Sequence, residues 1–200
     1  IIFNGRLFDT RPVLRLCQSK AITCSVIEIC GYKQKNWIKF TNTLPHDIDE
    51  YIKNVENTWN SEPNYEFKHI TGTKFFILRS EGKKTNDKSY VQRQNPNLLP
   101  EDFNKNKKNI TIFNSSEDEF FSLGSQWKKI YNSQTDGIRY VCKLVEDKPK
   151  YHVYLRIHPN LATVDADFVK ELYLLENEFK NLTVINPNSS VSSYHLMMQS

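Results

Sequence analysis

The same order of elements is predicted twice in this chain, and this internal repeat constrains the fold more than any other feature. The first copy begins at Lys35 with a strand-like run, continues through a helix behind Pro45, and ends near Leu78. The second copy begins at Lys108 with a similar strand-like run. Because two copies are too few for a solenoid, the repeat predicts a duplicated unit of mixed α-helix and β-strand.

Strands and one amphipathic helix are predicted for the first copy and the residues before it. Residues 1–42 are expected to form strands, most clearly at 21–30 and 37–42, where apolar and polar residues alternate. Two further strands are predicted at 65–70 and 73–79. Between the strands predicted at 37–42 and 65–70, five apolar residues recur at the spacing of a helix. These residues are Ile48, Tyr51, Ile52, Val55 and Trp59.

The second copy is predicted to follow the same order and to continue into a helical extension. The strand at 138–145 is inferred from alternation, because Ile138, Tyr140, Cys142 and Leu144 are separated by other residues that include charged ones. In chain order the predicted elements are a strand at 108–113, a helix at 116–131, strands at 138–145 and 151–157, a helix at 165–182, and a last strand at 194–198.

A long basic segment, 81–107, separates the two copies. It contains two prolines and many asparagines, so we expect a surface loop, with a short strand near 89–92. A loop of this length is uncommon in a folded domain and is often functional. Its basic residues are Lys83, Lys84, Lys88, Arg93, Lys105 and Lys107.

The composition is that of a folded protein with a mildly basic charge. With 38% hydrophobic residues and a net charge of +4, the chain can form a core and would tolerate an acidic partner. No apolar run reaches the length of a membrane span, so no membrane contact is predicted. Because the chain begins at Ile1, we expect it to be a segment of a longer protein. The four cysteines, Cys17, Cys24, Cys30 and Cys142, have no paired spacing and are expected to be reduced thiols.

No pattern that indicates catalysis stands out. The six glycines form no phosphate-binding motif, and the five histidines show no metal-ligand spacing. The acidic residues Asp47, Asp49 and Glu50 are explained by the positive end of the helix that they begin. We therefore predict that this segment is not an enzyme and that it holds no cofactor or metal. An enzyme of an unfamiliar class remains the third alternative.

Basic residues on the predicted strands leave two binding functions open. One is a basic surface that takes an acidic partner segment. The other is a groove for single-stranded nucleic acid, formed by the basic loop and exposed aromatic residues such as Trp37. For any single lysine, a solvated surface position explains the sequence equally well.

Several stretches together resemble the tandem polo-box module of the polo-like kinases that start centriole duplication. The similarity covers about three quarters of the chain and consists of apolar patterns and turns. The stretches are the strand pair at 25–30 and 37–40, the strand-to-helix junction at 40–45, the strands at 63–79, the strand and helix at 108–113 and 116–131, and the strand at 151–159.

This resemblance implies a fold and a function. The fold would be α+β, with two similar units of antiparallel sheet packed with helices, one at 1–63 and one at 64–200. The function would be that of a non-catalytic homodimeric module of a serine/threonine-protein kinase in the cytoplasm, at the centrosome. The module would bind an acidic segment of a centriolar scaffold protein, with nucleic acid an improbable partner. The basic face would consist of Lys33, Lys35, Lys39, Lys68, Lys74 and Arg79.

Overall fold

Two three-stranded sheets, each packed with helices, are found in a computed structural model of the chain, as its mixed α+β pattern predicts. The structure describes residues 1–29, 37–45, 47–83, 89–116 and 130–200. The described residues divide into two compact units, the first extending to Thr71 and the second starting at Gly72. Each unit contains one of the sheets.

The elements of the first half of the chain, in order, are β1 (Ile2–Phe3), α1 (Thr10–Ser19), β2 (Ser25–Ile29), β3 (Trp37–Thr41), α2 (Ile48–Ser61) and α3 (Tyr65–Ser80). Those of the second half are α4 (Ser89–Gln92), β4 (Lys108–Phe113), α5 (Gln134–Val145), β5 (Tyr151–Arg156), a 3₁₀ helix (Pro159–Thr163), α6 (Asp167–Glu178), β6 (Leu182–Ile185) and α7 (Ser193–Gln199).

The sheet of the first unit has a mixed strand pattern. Strand β2 lies in the centre, parallel to β1 and antiparallel to β3, with Val26 opposite Phe40. The predicted strands at 21–30 and 37–42 are thus confirmed within the described residues, although the prediction of strands throughout 1–42 is wrong. Residues Thr10–Ser19 form helix α1, because Leu14 and Cys17 are three positions apart and pack against the same core.

Helix α2 confirms the clearest helix prediction of the sequence. Its N-cap is Asp47, whose carboxylate accepts a hydrogen bond from the Glu50 amide at 3.1 Å and another from the Thr43 hydroxyl at 2.6 Å. All residues of α2 are described, and none of them is buried. The apolar stripe that predicted the helix is therefore largely exposed to solvent.

The predicted strands at 65–70 and 73–79 are wrong, because these residues form the single helix α3. Asn64 precedes the first residue of the helix, and its side-chain oxygen accepts a hydrogen bond from the Phe67 amide at 2.9 Å. Gly72, predicted as a turn, is an interior helical residue with open space around its Cα. Apolar residues occur at successive positions of this segment, so their spacing distinguishes neither a strand nor a helix. The capping residue before the segment is the signal that indicates a helix.

The sheet of the second unit is entirely parallel, in the order β4-β5-β6. The antiparallel sheet expected for this unit is therefore wrong. Parallel neighbours need long crossover connections, and here α5 connects into β5 while α6 connects β5 to β6. The pairing aligns Ile110 with Val153 and Leu155 with Val184.

Helix α5 replaces the strand predicted at 138–145. The Ser133 hydroxyl caps it by accepting a hydrogen bond from the Asp136 amide at 3.0 Å. The buried residues Ile138, Cys142 and Val145 are spaced by four and three positions, which is one face of a helix. The alternation that favoured a strand used residues of both faces.

Both faces of the parallel sheet are covered. On one face, Val153 and Leu155 pack against the buried sides of α5 and α6. On the other face, Tyr154 packs with Ile185 and with Leu196 of α7. A strand that is buried on both faces belongs to the centre of an α/β layer structure, and β5 has this place.

The segment predicted as a long loop packs along the second unit in its later part. The Asn95 amide donates to the Ser190 carbonyl at 2.8 Å, and the Ser192 amide donates to the Leu98 carbonyl at 2.9 Å. The Tyr154 hydroxyl donates to the Asp102 carbonyl at 3.2 Å. Residues 94–107 are thereby tied to the sheet at several points.

Three further predictions concern short elements. The strands expected near 89–92 and at 194–198 are both wrong, since these residues lie in the helices α4 and α7. The helix expected at 165–182 is confirmed over Asp167–Glu178, but Leu182 begins strand β6 instead. Most of the helix expected at 116–131 lies outside the described residues.

Candidate functional sites

The residues predicted to form a basic face lie in different settings. Lys33 and Lys35 lie outside the described residues. Lys39 is exposed on β3 in the first unit, and Lys74 is exposed on α3 in the second. Both ammonium groups are open to solvent and could meet an acidic partner.

Lys68 and Arg79 are held by aromatic neighbours. The Lys68 ammonium donates to the Trp59 carbonyl at 3.0 Å and lies 4.2 Å from the centre of the Trp59 ring. The Arg79 side chain is buried, 3.6 Å from the centre of the Phe75 ring, and donates to the Phe75 carbonyl at 3.3 Å. Arg79 is thus a packed side chain of the second unit, and its burial argues against direct contact with a partner.

An apolar groove lies within the first unit, between β3, α2 and the start of α3. It has a volume of about 490 Å³, which is within the range of about 300–1,000 Å³ usual for small-ligand sites. Its apolar walls come from Ile38, Phe40, Tyr51, Val55, Trp59 and Phe67, and its polar groups from Asn54, Thr58, Glu62, Lys68 and Thr71.

The carboxyl ends of the three parallel strands bring polar residues to one edge of the second unit. Asn114 follows β4 directly, His158 comes two residues after β5, and Asn186 follows β6 directly. The first two are joined, since the His158 amide donates to the Asn114 side-chain oxygen at 2.8 Å. We call Asn114, His158 and Asn186 together the carboxyl edge.

Ser115, which lies just after β4, is held by the first residue of α5. The Gln134 side chain accepts a hydrogen bond from the Ser115 amide at 2.9 Å and donates to the Ser115 carbonyl at 3.0 Å. The side-chain amide of Gln134 thus pairs with both the N–H and the C=O of one residue, as the backbone of a neighbouring strand would do. The backbone at Ser115 is therefore set in position by α5.

Arg156, the last residue of β5, holds the loop after β6. Its guanidinium is only 2% exposed and donates to the carbonyls of Asn186 at 2.6 Å and Ser189 at 3.0 Å. Burial lowers the pKa of Arg156 to about 10, so the group stays a cation at neutral pH. Its Nε has no hydrogen-bond partner among the described residues.

The imidazole of His158 faces its own loop. Its Nδ1 accepts a hydrogen bond from the Asn160 amide at 3.1 Å, and an accepting nitrogen carries no proton. His158 is half-buried. The carboxyl edge therefore carries polar side chains from the ends of all three strands, which are groups that can hydrogen-bond a polar ligand.

A second polar cluster lies on one face of the sheet. The imidazole Nε2 of His152 is 2.8 Å from the Thr183 hydroxyl, which in turn donates to the carboxylate of Asp102. Burial lowers the pKa of His152, while the charge of Asp102 opposes the shift. These contacts fix the segment that carries Asp102 to β5 and β6, and this structural role accounts for them.

The sequence patterns did not single out the carboxyl edge. Asn114 and Arg156 belong to no motif, and His158 is one of five histidines without metal-ligand spacing. The available signal was positional, since each of these polar residues comes at or just after the end of an apolar run. That signal becomes specific only when the strands are known to be parallel.

Other kinds of site are not seen in the part of the chain that the structure describes. None of its helices is long and apolar enough to cross a membrane, and no group of three or more metal-ligating side chains forms within it. Cys17, Cys24 and Cys142 are free thiols, and Cys30 lies outside the described residues. Burial raises the pKa of Cys142 to about 11, so this thiol is protonated at neutral pH.

No protein-family model, no curated protein and no solved structure shows a significant match to this chain.

Proposed function

We propose that the second unit binds a small phosphate-bearing ligand, such as a mononucleotide, at the carboxyl edge. The observation that carries this proposal is that Asn114, His158 and Asn186 come at or just after the carboxyl ends of three neighbouring parallel strands. In open α/β sheets, ligands bind beyond the carboxyl ends of the strands, because the loops there are free to present polar groups.

The helices support an anionic group on the ligand. In a parallel sheet, the helix that follows a strand begins on the carboxyl side, so the N-termini of α5 and α6 belong to this edge. The positive end of a helix dipole favours phosphate. The first turns of α5 and α6 also carry Asp136 and Asp167, and the Ser133 hydroxyl already accepts a hydrogen bond from the Asp136 amide, so the dipoles are the contribution that these helices make.

The described residues at the carboxyl edge are held by hydrogen bonds within the chain. Gln134 holds Ser115, Asn114 holds His158, and Arg156 holds Asn186. A preformed site binds more tightly because little ordering entropy is lost when the ligand enters. The proposal concerns binding, and the prediction that this segment is not an enzyme stays a prediction.

Calorimetric titration tests the proposal. We expect ADP or UDP to bind, inorganic phosphate to compete, and His158→Ala and Asn186→Ala each to weaken binding about tenfold, equivalent to about 1.4 kcal/mol. His69→Ala is the matched control, because His69 is exposed on α3 in the first unit. Unchanged affinity in both carboxyl-edge variants, or no binding by the parent protein, would rule the proposal out.

A second candidate is the targeting function that the polo-box resemblance implies. It would make the chain a homodimeric, non-catalytic module that binds an acidic centriolar segment and localises a kinase at the centrosome. The exposed ammonium groups of Lys39 and Lys74 favour it, since exposed lysines steer acidic partners. The parallel sheet of the second unit departs from the antiparallel sheets of that resemblance, so this candidate depends on the lysines alone.

Charge reversal tests this candidate. We expect Lys39→Glu with Lys74→Glu to weaken binding of a Glu-rich peptide, and the parent affinity to fall as salt rises. Reversal of Lys170, which is already paired with Asp165 at 2.8 Å, serves as the control. Equal binding by the reversed and parent proteins would remove the candidate. Tight binding of single-stranded oligonucleotides instead would favour the nucleic-acid alternative.

A further inference from the structure

The apolar groove of the first unit is bordered by a helix face that the described residues leave uncovered. Val55 is 56% exposed and Trp59 is 49% exposed, although both point from α2 along the stripe that predicted the helix. Soluble proteins seldom leave a contiguous apolar surface of this kind without a binding role. The groove is thus a candidate binding site that is separate from the carboxyl edge.

One cation lies at this groove. Lys68 is half-buried, and its ammonium uses one of three N–H donors on the Trp59 carbonyl. Within the described part of the chain, no carboxylate lies within ion-pair distance of Lys68. A held ammonium with donors to spare, next to an apolar wall, is the arrangement that suits an anionic head group on an apolar body.

Glu62 is the carboxylate that lines the same groove. It is half-buried at the end of α2, and its Oε1 accepts a hydrogen bond from the Asn64 amide at 2.9 Å. This contact disperses part of its charge, but the carboxylate still opposes an anion nearby. The anionic head group of a ligand is therefore expected at Lys68, with its apolar body against Val55.

We propose that the groove between β3, α2 and the start of α3 binds a small amphipathic anion, an apolar molecule with one carboxylate or sulfonate. The volume of about 490 Å³ accommodates a medium-length fatty acid or a two- or three-ring aryl acid. The apolar body of the ligand packs against Ile38, Tyr51 and Val55, and its anionic head group contacts the Lys68 ammonium.

Two fluorescent probes with the same aromatic frame separate the charge from the apolar contact. The sulfonate 8-anilinonaphthalene-1-sulfonate is the anion, and N-phenyl-1-naphthylamine is the uncharged counterpart. We expect the anion to bind more tightly, dodecanoate to displace both probes, and Lys68→Met to weaken anion binding about fivefold while leaving the uncharged probe unchanged. Glu62→Gln is expected to tighten anion binding two- to threefold.

Two matched variants locate the binding. Lys74→Met removes an exposed ammonium from the same helix as Lys68 but outside the groove, and it is expected to leave both probes unaffected. Val55→Gln places an amide on the apolar wall and is expected to weaken both probes more than tenfold. Because Val55 is largely exposed, this variant is expected to fold, which circular dichroism checks.

Specific outcomes overturn the proposal. Equal effects of Lys68→Met and Lys74→Met, or binding that survives Val55→Gln, show that the probes bind elsewhere. Sedimentation provides the remaining test, since a dimer that excludes the probes and dissociates in Val55→Gln shows that a second copy of the chain covers this face. A protein that binds neither probe at saturating concentration also contradicts the proposal.

Discussion

Replacement of Asn114 by alanine is expected to loosen the carboxyl edge. The Asn114 side chain is only 7% exposed, accepts a hydrogen bond from the His158 amide at 2.8 Å and donates to the Ser115 carbonyl at 3.1 Å. The substitution removes the acceptor of a hydrogen bond from a half-buried amide, which costs about 1–3 kcal/mol, and the loss of the second bond adds about 1 kcal/mol. We expect a total destabilisation of about 2–4 kcal/mol.

Hydrogen exchange of the His158 amide measures this effect at the site. A loss of 2 kcal/mol corresponds to about a 30-fold decrease in protection. Asn114→Asp keeps an acceptor oxygen and is expected to retain most of the protection, whereas Asn160→Ala changes an exposed side chain and is expected to retain all of it. If His158 exchanges at the same rate in Asn114→Ala as in the parent, the proposed connection between the first two strand ends is refuted.

Three further predictions concern the second unit. Burial lowers the pKa of His152, so the folded state binds fewer protons at this residue than the unfolded state does. The contribution of His152 to the free energy of unfolding is therefore complete above the ordinary pKa of about 6.5 and is lost as pH falls below it. Urea unfolding of His152→Gln should show a weaker pH dependence, and what remains is expected from His195, whose pKa burial also lowers. Leu172→Ala should lower the free energy of unfolding by about 2–5 kcal/mol, since Leu172 is buried in the core and leaves a cavity; an effect below 1 kcal/mol would mean that α6 does not pack as described. Gly82→Ala should destabilise by more than about 1 kcal/mol in thermal unfolding, because Gly82 has a φ of +69° and an added Cβ would lie 2.4 Å from the Pro96 ring, whereas Gly72→Ala meets open space and should not destabilise.

The sequence predicts best where a period and an end signal agree. Helix α2 has both, because its apolar stripe follows Pro45 and the carboxylate of Asp47 caps its first turn. The strands β3, β4 and β5 were also predicted, since apolar residues alternate over runs of five or six residues.

Prediction fails where an apolar run fits two periods. In α5, Ile138 and Cys142 are buried, while Tyr140 and Leu144 are about half exposed. The apolar residues at every second position therefore lie on two faces of a helix and do not indicate a strand. The cap at Ser133, three residues before Asp136, was the better signal. In α3 the corresponding signal was Asn64 after Pro63.

Strand direction could not be predicted from the patterns that were used. Once 138–145 is taken as a strand, β5 has a short connection behind it and an antiparallel pair follows naturally. With α5 as a helix, the connection becomes a crossover and the pair becomes parallel. One wrong element therefore concealed the carboxyl edge, because the chemical meaning of Asn114 and His158 depends on that direction.

A residue-resolved titration tests the central claim most directly. In protein with ¹³C-labelled histidines, addition of ADP or UDP is predicted to shift the ring resonance of His158 with a saturable dependence on concentration. The resonance of His69 is predicted to stay in place. A shift at His69 without one at His158, or no shift at millimolar nucleotide, would contradict the assignment of the carboxyl edge as the binding site.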